Sequence, residues 1–278
     1  MTHWNKVYIE ITNICNLHCS FCPPTKRKPQ QMPLDKFEQL LQQLKPYTNQ
    51  LCLHVKGEPL LHHEFGKVLK LCEEYQYNVS LTTNGIFLNK WLKEVKESKA
   101  LKKIHISLTC ENEIPNYVKK VMLETNQLKE EQNVIYRLWA LKDGKMTEKT
   151  KTIILQIADF YHLKEETIEE MYCQKNSKIA KGRYIDKGML FEWPTLGDKT
   201  THSFCQGLSK QIAILVDGTV VPCCLDGEGM IKLGNVFEQP LEQIINTNRY
   251  QEMKRAFQNN LAKEKLCQNC TYKNRFKS

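Results

Sequence analysis

The sequence predicts an α/β protein: a parallel sheet built from successive β-α units, followed by a small C-terminal β-hairpin with helices. Three observations carry this. From residue 6 to about 175, short β-rich runs alternate with segments whose apolar residues recur at helical spacing. The alternation stops at "FEWPTLGDKTTHSFCQG" (191–207), where Pro194, Gly197 and their polar neighbours read as a linker. Beyond it, "QIAILVDGTVVPCC" (211–224) holds two β-rich runs joined by Asp217-Gly218, a hairpin signal.

The strand candidates in order are 6–11 (KVYIEI), 51–55 (LCLHV), 78–82 (NVSLT), 104–108 (IHISL), 133–139 (NVIYRLW) and 168–174 (IEEMYCQ). Between them lie amphipathic runs such as Phe37, Leu40, Leu41 and Leu44, or Ile153, Ile154, Ile157 and Tyr161. Five or six such units imply parallel strands with right-handed crossovers. Pattern alone is met by an open sheet and by a full or partial barrel. After the hairpin, "EQPLEQIIN" starts a helix with Pro240 at its first position, and Tyr250, Met253 and Phe257 mark another. The expected division is 1–190, a 191–204 linker and 205–278.

At 278 residues the chain can bury a full core. Its net charge of +9 rests on 34 lysines against 6 arginines, spread along the chain, which reads as solvated lysine rather than a nucleic-acid footprint. No apolar run approaches the roughly 20 residues of a membrane span. The N-terminus lacks the apolar core of a secretory signal, so a cytoplasmic location with no membrane partner is expected. Thiols stay reduced there, and clusters among the 12 cysteines then point to metal binding or catalysis.

Cys15, Cys19 and Cys22 lie in "ITNICNLHCSFCPPTKRK" (11–28), directly after the first strand. Three close thiolates suit zinc or an iron–sulfur cluster. Zinc normally takes four ligands, and no nearby histidine has finger spacing. Three thiolates on a [4Fe–4S] cube leave one iron open to a ligand. In parallel β-α proteins, ligands bind at the carboxyl ends of the strands. "KGEPL" follows strand two, "TTNG" strand three, "SLT" closes strand four, and Arg137 lies on strand five. "KRK" (26–28) beside the thiols reads as solvated charge or as a contact for an anionic substrate.

The C-x3-C-x2-C loop, with Phe21 before its last cysteine, and "KGEP" on strand two resemble the radical S-adenosylmethionine superfamily, over residues 6 to about 190. Lys56 stands where that family's GGEP motif has its first glycine. The resemblance implies a partial (β/α)6 TIM-like barrel. It makes Cys15, Cys19 and Cys22 the holders of a [4Fe–4S] cluster whose open iron binds S-adenosylmethionine. Gly57, Glu58 and Pro59 would border its amino group, Asn84 and Ser107 its ribose or carboxylate, and Phe21 its adenine; Arg137 is a further candidate for the carboxylate. Reductive cleavage would release a 5′-deoxyadenosyl radical, with electrons from an external donor such as flavodoxin or ferredoxin.

Cys205, Cys223, Cys224, Cys267 and Cys270 form a second set, with enough thiols for one tetrahedral site and a structural zinc as one reading. "DGTVVPCCLDGEG…LGNV…PLEQI…LCQNC" resembles the SPASM extension in its shortened twitch form. By that resemblance Cys205, Cys223, Cys267 and Cys270 ligate an auxiliary [4Fe–4S] cluster, Cys223 being preferred over Cys224 by its "PC" position. With no open iron, such a cluster suits electron transfer, and it would complete a two-electron oxidation. Cys52, Cys72, Cys110 and Cys173 read as core residues. Arg183, Tyr184, Glu192 and Trp193 are expected near the cleft, Glu192 as an acceptor for the released proton.

The expected function is a radical oxidation of a small molecule or a peptide side chain. Only fourteen residues precede Cys15, which disfavours a leader-peptide-binding domain before the barrel. The alternatives are an RNA-modifying radical enzyme, suggested by the basic balance, and a non-catalytic metal-binding module.

Overall fold

The computed structural model describes residues 3–190, 192–197 and 204–273. Residues 191 and 198–203 of the expected linker, and the termini 1–2 and 274–278, lie outside these. Five of the six expected strands form where the pattern puts them: β1 (Lys6–Ile9), β2 (Gln50–Cys52), β3 (Asn78–Thr83), β4 (Leu101–Ser107) and β5 (Asn133–Leu141). The helices α1 (Leu34–Leu44), α2 (Phe65–Glu74), α3 (Leu92–Glu97), α4 (Tyr117–Thr125) and α5 (Glu148–Tyr161) fall between or after them. In α1 the expected stripe of Phe37, Leu40, Leu41 and Leu44 is the buried face. Thr147 starts α5 by accepting a hydrogen bond from the Thr150 amide.

The sixth strand is elsewhere than expected. Residues 168–174 belong to α6 (Glu165–Cys173), which opens on Glu165 and Glu166 and buries Met171. Acids in the first turn favour a helix N-terminus, and a single β-branched residue in 168–174 gives little support to a strand. Cys173, at the end of α6, is exposed rather than in the core, whereas Cys52, Cys72 and Cys110 are buried. The chain then turns through β6 (Asn176–Ala180) into β7 (Arg183–Met189), which pairs parallel with β5 and supplies the sixth parallel strand.

The C-terminal segment adds β8 (Gln211–Ile214), β9 (Thr219–Val221), β10 (Gly234–Asn235), α7 (Leu241–Ile245), α8 (Asn248–Gln258) and α9 (Lys265–Gln268). Pro240 immediately precedes α7 rather than opening it. The Asp217-Gly218 hairpin does not stand apart. β8 pairs parallel with β1 over four residues, giving one sheet in the order β10-β9-β8-β1-β2-β3-β4-β5-β7-β6. That sheet is open, a partial barrel of parallel strands with antiparallel edges.

Burial alternates along β3 and β5. A parallel sheet covered on both faces would read as continuous apolar runs. Here Val79, Leu81, Ile104, Ile106, Val134 and Tyr136 join the core beneath the helices. The opposite, concave face carries Tyr8, His54, Thr82, His105, Arg137 and Asp186, following the two-residue period of the strands.

Arg183 lies at the start of β7, away from the carboxyl ends of the strands, and is 3% exposed. Its guanidinium donates to the carbonyls of Thr125, Leu128, Gln132 and Gly182 at 2.9–3.4 Å. It therefore closes the loop under β5 instead of facing a cleft. Arg183→Met would leave these carbonyls short of donors at a cost of about 3 kcal/mol. Urea titration should show a lower midpoint with an unchanged slope; an unchanged midpoint would refute the structural role.

Candidate active site

The thiol loop is held at its neck before it reaches the cysteines. Thr12 Oγ1 donates to the Gln30 carbonyl at 3.1 Å, and Asn13 Nδ2 donates to the Lys28 carbonyl at 2.9 Å. The Gln30 amide returns a bond to Asn13 Oδ1 at 2.8 Å. Within the loop, Cys15 Sγ accepts from the Leu17 amide and Cys19 Sγ from the Glu111 amide. Phe21 is half-buried. Burial pushes the Cys15 thiol up to about 11 and raises Cys19 as well, so ligation here has to displace protons.

The segment after β2 rests against this neck. Gly57 has φ +74°, and a Cβ there would lie 2.4 Å from the Thr12 carbonyl oxygen, so only glycine fits. The Glu58 amide donates to the Ile14 carbonyl at 2.8 Å. Glu58 itself is buried: its carboxylate accepts from the Leu60 amide (3.0 Å), Thr83 Oγ1 (2.5 Å) and the Asn84 amide (2.8 Å). Burial raises its pKa while these three donors oppose the rise. Pro59 is buried at the start of a single 3-10 turn. Asn84 Nδ2 reaches Asn16 Oδ1 in the thiol loop at 3.0 Å, and the Tyr117 hydroxyl donates to the Asn84 and Ser107 carbonyls.

A buried ion pair ties this arrangement together, and the sequence reading missed it. Arg27 donates to both oxygens of Glu10 at 2.6–2.7 Å, and the Glu10 side chain is fully buried. The same carboxylate accepts from the Lys56 and Val216 amides at 3.1 and 3.0 Å. Arg27 Nε donates to the Gly227 carbonyl at 3.0 Å, while Thr25 Oγ1 and the Lys26 amide donate to Glu228. Arg27 is thus neither solvated nor free for substrate. An acid in the middle of the apolar run "VYIEI" was the available signal.

Lys56 has a comparable role. Its Nζ donates to the Pro23 carbonyl at 2.6 Å and sits 3.9 Å from the Trp193 ring centroid. Trp193 therefore does approach the thiol loop. Glu192 beside it is exposed, with no hydrogen bond or ion pair among the described residues. Tyr184 lies on the concave face, paired with Ile135.

Cys205, Cys223, Cys267 and Cys270 line one pocket with Asp226 and Tyr272. Cys205 Sγ accepts from the Gly207 amide, and Asp226 shapes the neighbouring loop by accepting from the Met230 and Ile231 amides at 2.8 and 2.7 Å. Cys224 points elsewhere, into a small buried cluster with Tyr8, Cys52 and Leu215. It hydrogen-bonds Tyr8, and burial pushes its thiol up to about 12. Four sulfurs around one pocket suit a cluster, and three in the other loop suit one with an open iron. Among the described residues, no three His, Cys, Asp or Glu side chains stand at single-ion spacing.

The concave face carries His54, His105, Thr82 and Arg137. Arg137 Nη1 donates to Thr82 Oγ1 at 3.3 Å and its guanidinium lies 4.6 Å from the Trp139 ring centroid. It lies on the concave face, opposite Ser107 in strand register. Burial and the Arg137 charge push His54 down to about 3 and His105 lower still.

Two predictions follow from these contacts. Arg27→Ala leaves Glu10 buried without its cation and should cost about 3–5 kcal/mol in denaturant unfolding; a cost below about 1 kcal/mol would sink the role given to the pair. In the unfolded chain His54 and His105 bind protons below about pH 6.5, whereas the folded protein keeps His54 neutral down to about 3. The unfolded state then holds more protons in that window, so stability falls as the pH falls. The expected loss is about 1–2 kcal/mol per pH unit, measured by urea unfolding between pH 6.5 and 5, and it should shrink in His54→Gln.

The family model of the radical SAM superfamily matches residues 9–135, and that of the SPASM iron–sulfur cluster-binding domain matches residues 205–271. A probable GTP 3′,8-cyclase of Methanococcus vannielii is 25% identical over 80% of this chain and 86% of its own. A GTP 3′,8-cyclase of Aquifex aeolicus is 30% identical over 66% and 58%. Among solved structures, BtrN in complex with AdoMet and 2-DOIA has a TM-score of 0.64 at 19% identity, covering 96% of this chain and 93% of that one. Streptococcus suis SuiB bound to precursor peptide SuiA has a TM-score of 0.67 at 16% identity, covering 100% and 74%. Both likenesses extend through the barrel and the C-terminal segment. With both domains matched in this order on such a sheet, the chain belongs to the radical S-adenosylmethionine superfamily, as an enzyme with a C-terminal SPASM-type iron–sulfur domain.

Proposed function

We propose that this enzyme performs a net two-electron oxidation of a small substrate held in the barrel lumen. Cys15, Cys19 and Cys22 would hold the [4Fe–4S] cluster that binds S-adenosylmethionine. That pair, when bound, supplies one-electron cleavage of the sulfonium and hydrogen-atom abstraction. Cys205, Cys223, Cys267 and Cys270 would hold an auxiliary [4Fe–4S] cluster able to take up the second electron. The observation carrying this reading is the segment 223–228, which leads from the Cys223 pocket to the Arg27 and Thr25 contacts on the thiol loop.

The protein's own groups then position and seal. Glu58 already accepts three hydrogen bonds, so its part is to fix the Leu60 backbone and the Thr83-Asn84 turn beside the cofactor. Asn84, Ser107, Pro59 and the half-buried Phe21 border that cofactor in the same proposal. Glu192 is exposed and has no part in it. Radical SAM enzymes draw their electron from an external donor, here of the flavodoxin or ferredoxin class. Among the described residues, no helix is long and apolar enough to cross a membrane.

A second reading, GTP as substrate, is favoured by the relatives named GTP 3′,8-cyclase. The case for an RNA substrate rests on the chain's net charge of +9.

Anaerobically reconstituted protein should contain about eight irons per chain, the sum of two four-iron clusters. With dithionite and S-adenosylmethionine it should form 5′-deoxyadenosine. Cys223→Ala should lower the iron to about four, whereas Cys224→Ala should leave it near eight. Four irons with one zinc would make the C-terminal site structural. Absence of the nucleoside from a reducible cluster, with and without GTP, would overturn the radical reading.

A further inference from the structure

Three buried polar atoms on the concave face have no hydrogen-bond partner among the described residues: His54 Nδ1, His105 Nδ1 and Arg137 Nε. Buried polar groups left unpaired cost about 1–3 kcal/mol each, so three facing one lumen mark a place where a ligand completes the bonding. Strand register sets them close. Ser107 on β4 lies opposite Arg137 on β5, two residues beyond His105, and His105 lies opposite Thr82 on β3. Arg137 reaches across β4 to Thr82, which brings its guanidinium over the His105 level.

The chemistry of the missing ligand follows from the donors. A guanidinium offers only N–H groups, and each neutral imidazole can turn an N–H inward. The charge surrounding these groups is mainly positive. Arg137, Lys6 and Lys103 all act on both Cys52 and His105. The carboxylate acting on Arg137 is Asp186, which already accepts from Trp139 Nε1 at 2.9 Å. Glu10, the other acid of this face, is taken by Arg27. A ligand that supplies acceptors and negative charge satisfies both shortfalls.

We infer that Arg137, with His54 and His105, forms an oxyanion site in the barrel lumen that binds a carboxylate or phosphate group of the substrate. The site rests on the proposed radical oxidation for its place in turnover, but its binding does not depend on turnover. Arg137 interacts electrostatically with Tyr8, Cys52 and Tyr272, on the side of the C-terminal segment.

Calorimetry on the reconstituted enzyme saturated with S-adenosylmethionine tests this, using inorganic phosphate and acetate as probes at constant ionic strength. At least one should bind saturably. Arg137→Met should abolish the binding, Arg137→Lys should weaken it about tenfold by losing the planar fork, and His54→Gln should weaken it less. Retention of iron and of S-adenosylmethionine binding in Arg137→Met and Arg137→Lys shows that they fold. No saturable binding of either probe overturns the site, as does equal binding by Arg137→Met. Binding seen only without S-adenosylmethionine also overturns it, since Arg137 would then serve the cofactor's own carboxylate. Nucleoside formation is measured separately, so failure of the radical reading leaves its own signature.

Discussion

The structure depends on one buried carboxylate. Glu10 sits immediately after the first strand, fully enclosed, and holds Arg27, the Lys56 amide and the Val216 amide at once. These three partners come from the thiol loop, from the KGEP motif and from the C-terminal hairpin. An ion in a low-dielectric setting must be paired and hydrogen-bonded, and here that requirement can be met only when three distant segments assemble. The thiol loop, which has little apolar surface of its own, gains its shape from this ion pair and from the Thr12 and Asn13 side chains.

The same geometry links the two cysteine sets. Because β8 runs parallel to β1, the hairpin extends the barrel sheet, and the segment after Cys223 passes back along the thiol loop. Cys224, next in sequence to a pocket-lining thiol, faces Tyr8 and Cys52 on the concave side. Two adjacent cysteines therefore serve different surroundings, one around the auxiliary pocket and one in the lumen wall. The lumen between the sites is polar because the strands alternate, with core residues under the helices and histidines, Thr82 and Arg137 inward.

Much of this was legible in the chain. Alternation and helical spacing located five strands and their helices, since both periods follow from backbone geometry. The sixth strand was missed because 168–174 carries apolar residues too sparsely to separate the two periods, while the acids opening α6 were the better signal. Arg183 was misplaced because sequence position does not tell which end of a strand a residue occupies; it starts β7 and binds carbonyls below β5. Arg27 read as a loop charge because its partner lies 17 residues away, just past the first strand.

By itself the sequence determined the element types, the two cysteine sets and the positions of the loops that meet at the strand ends. These are local properties, written in spacing and residue chemistry. The tertiary structure alone decided that Glu10 pairs with Arg27, that Lys56 bridges to Pro23 and Trp193, that Cys224 turns from the pocket, and that His54, His105 and Arg137 share a lumen. Those outcomes depend on which distant groups compete for the same buried polar partners, and that competition exists only once the sheet has brought them together.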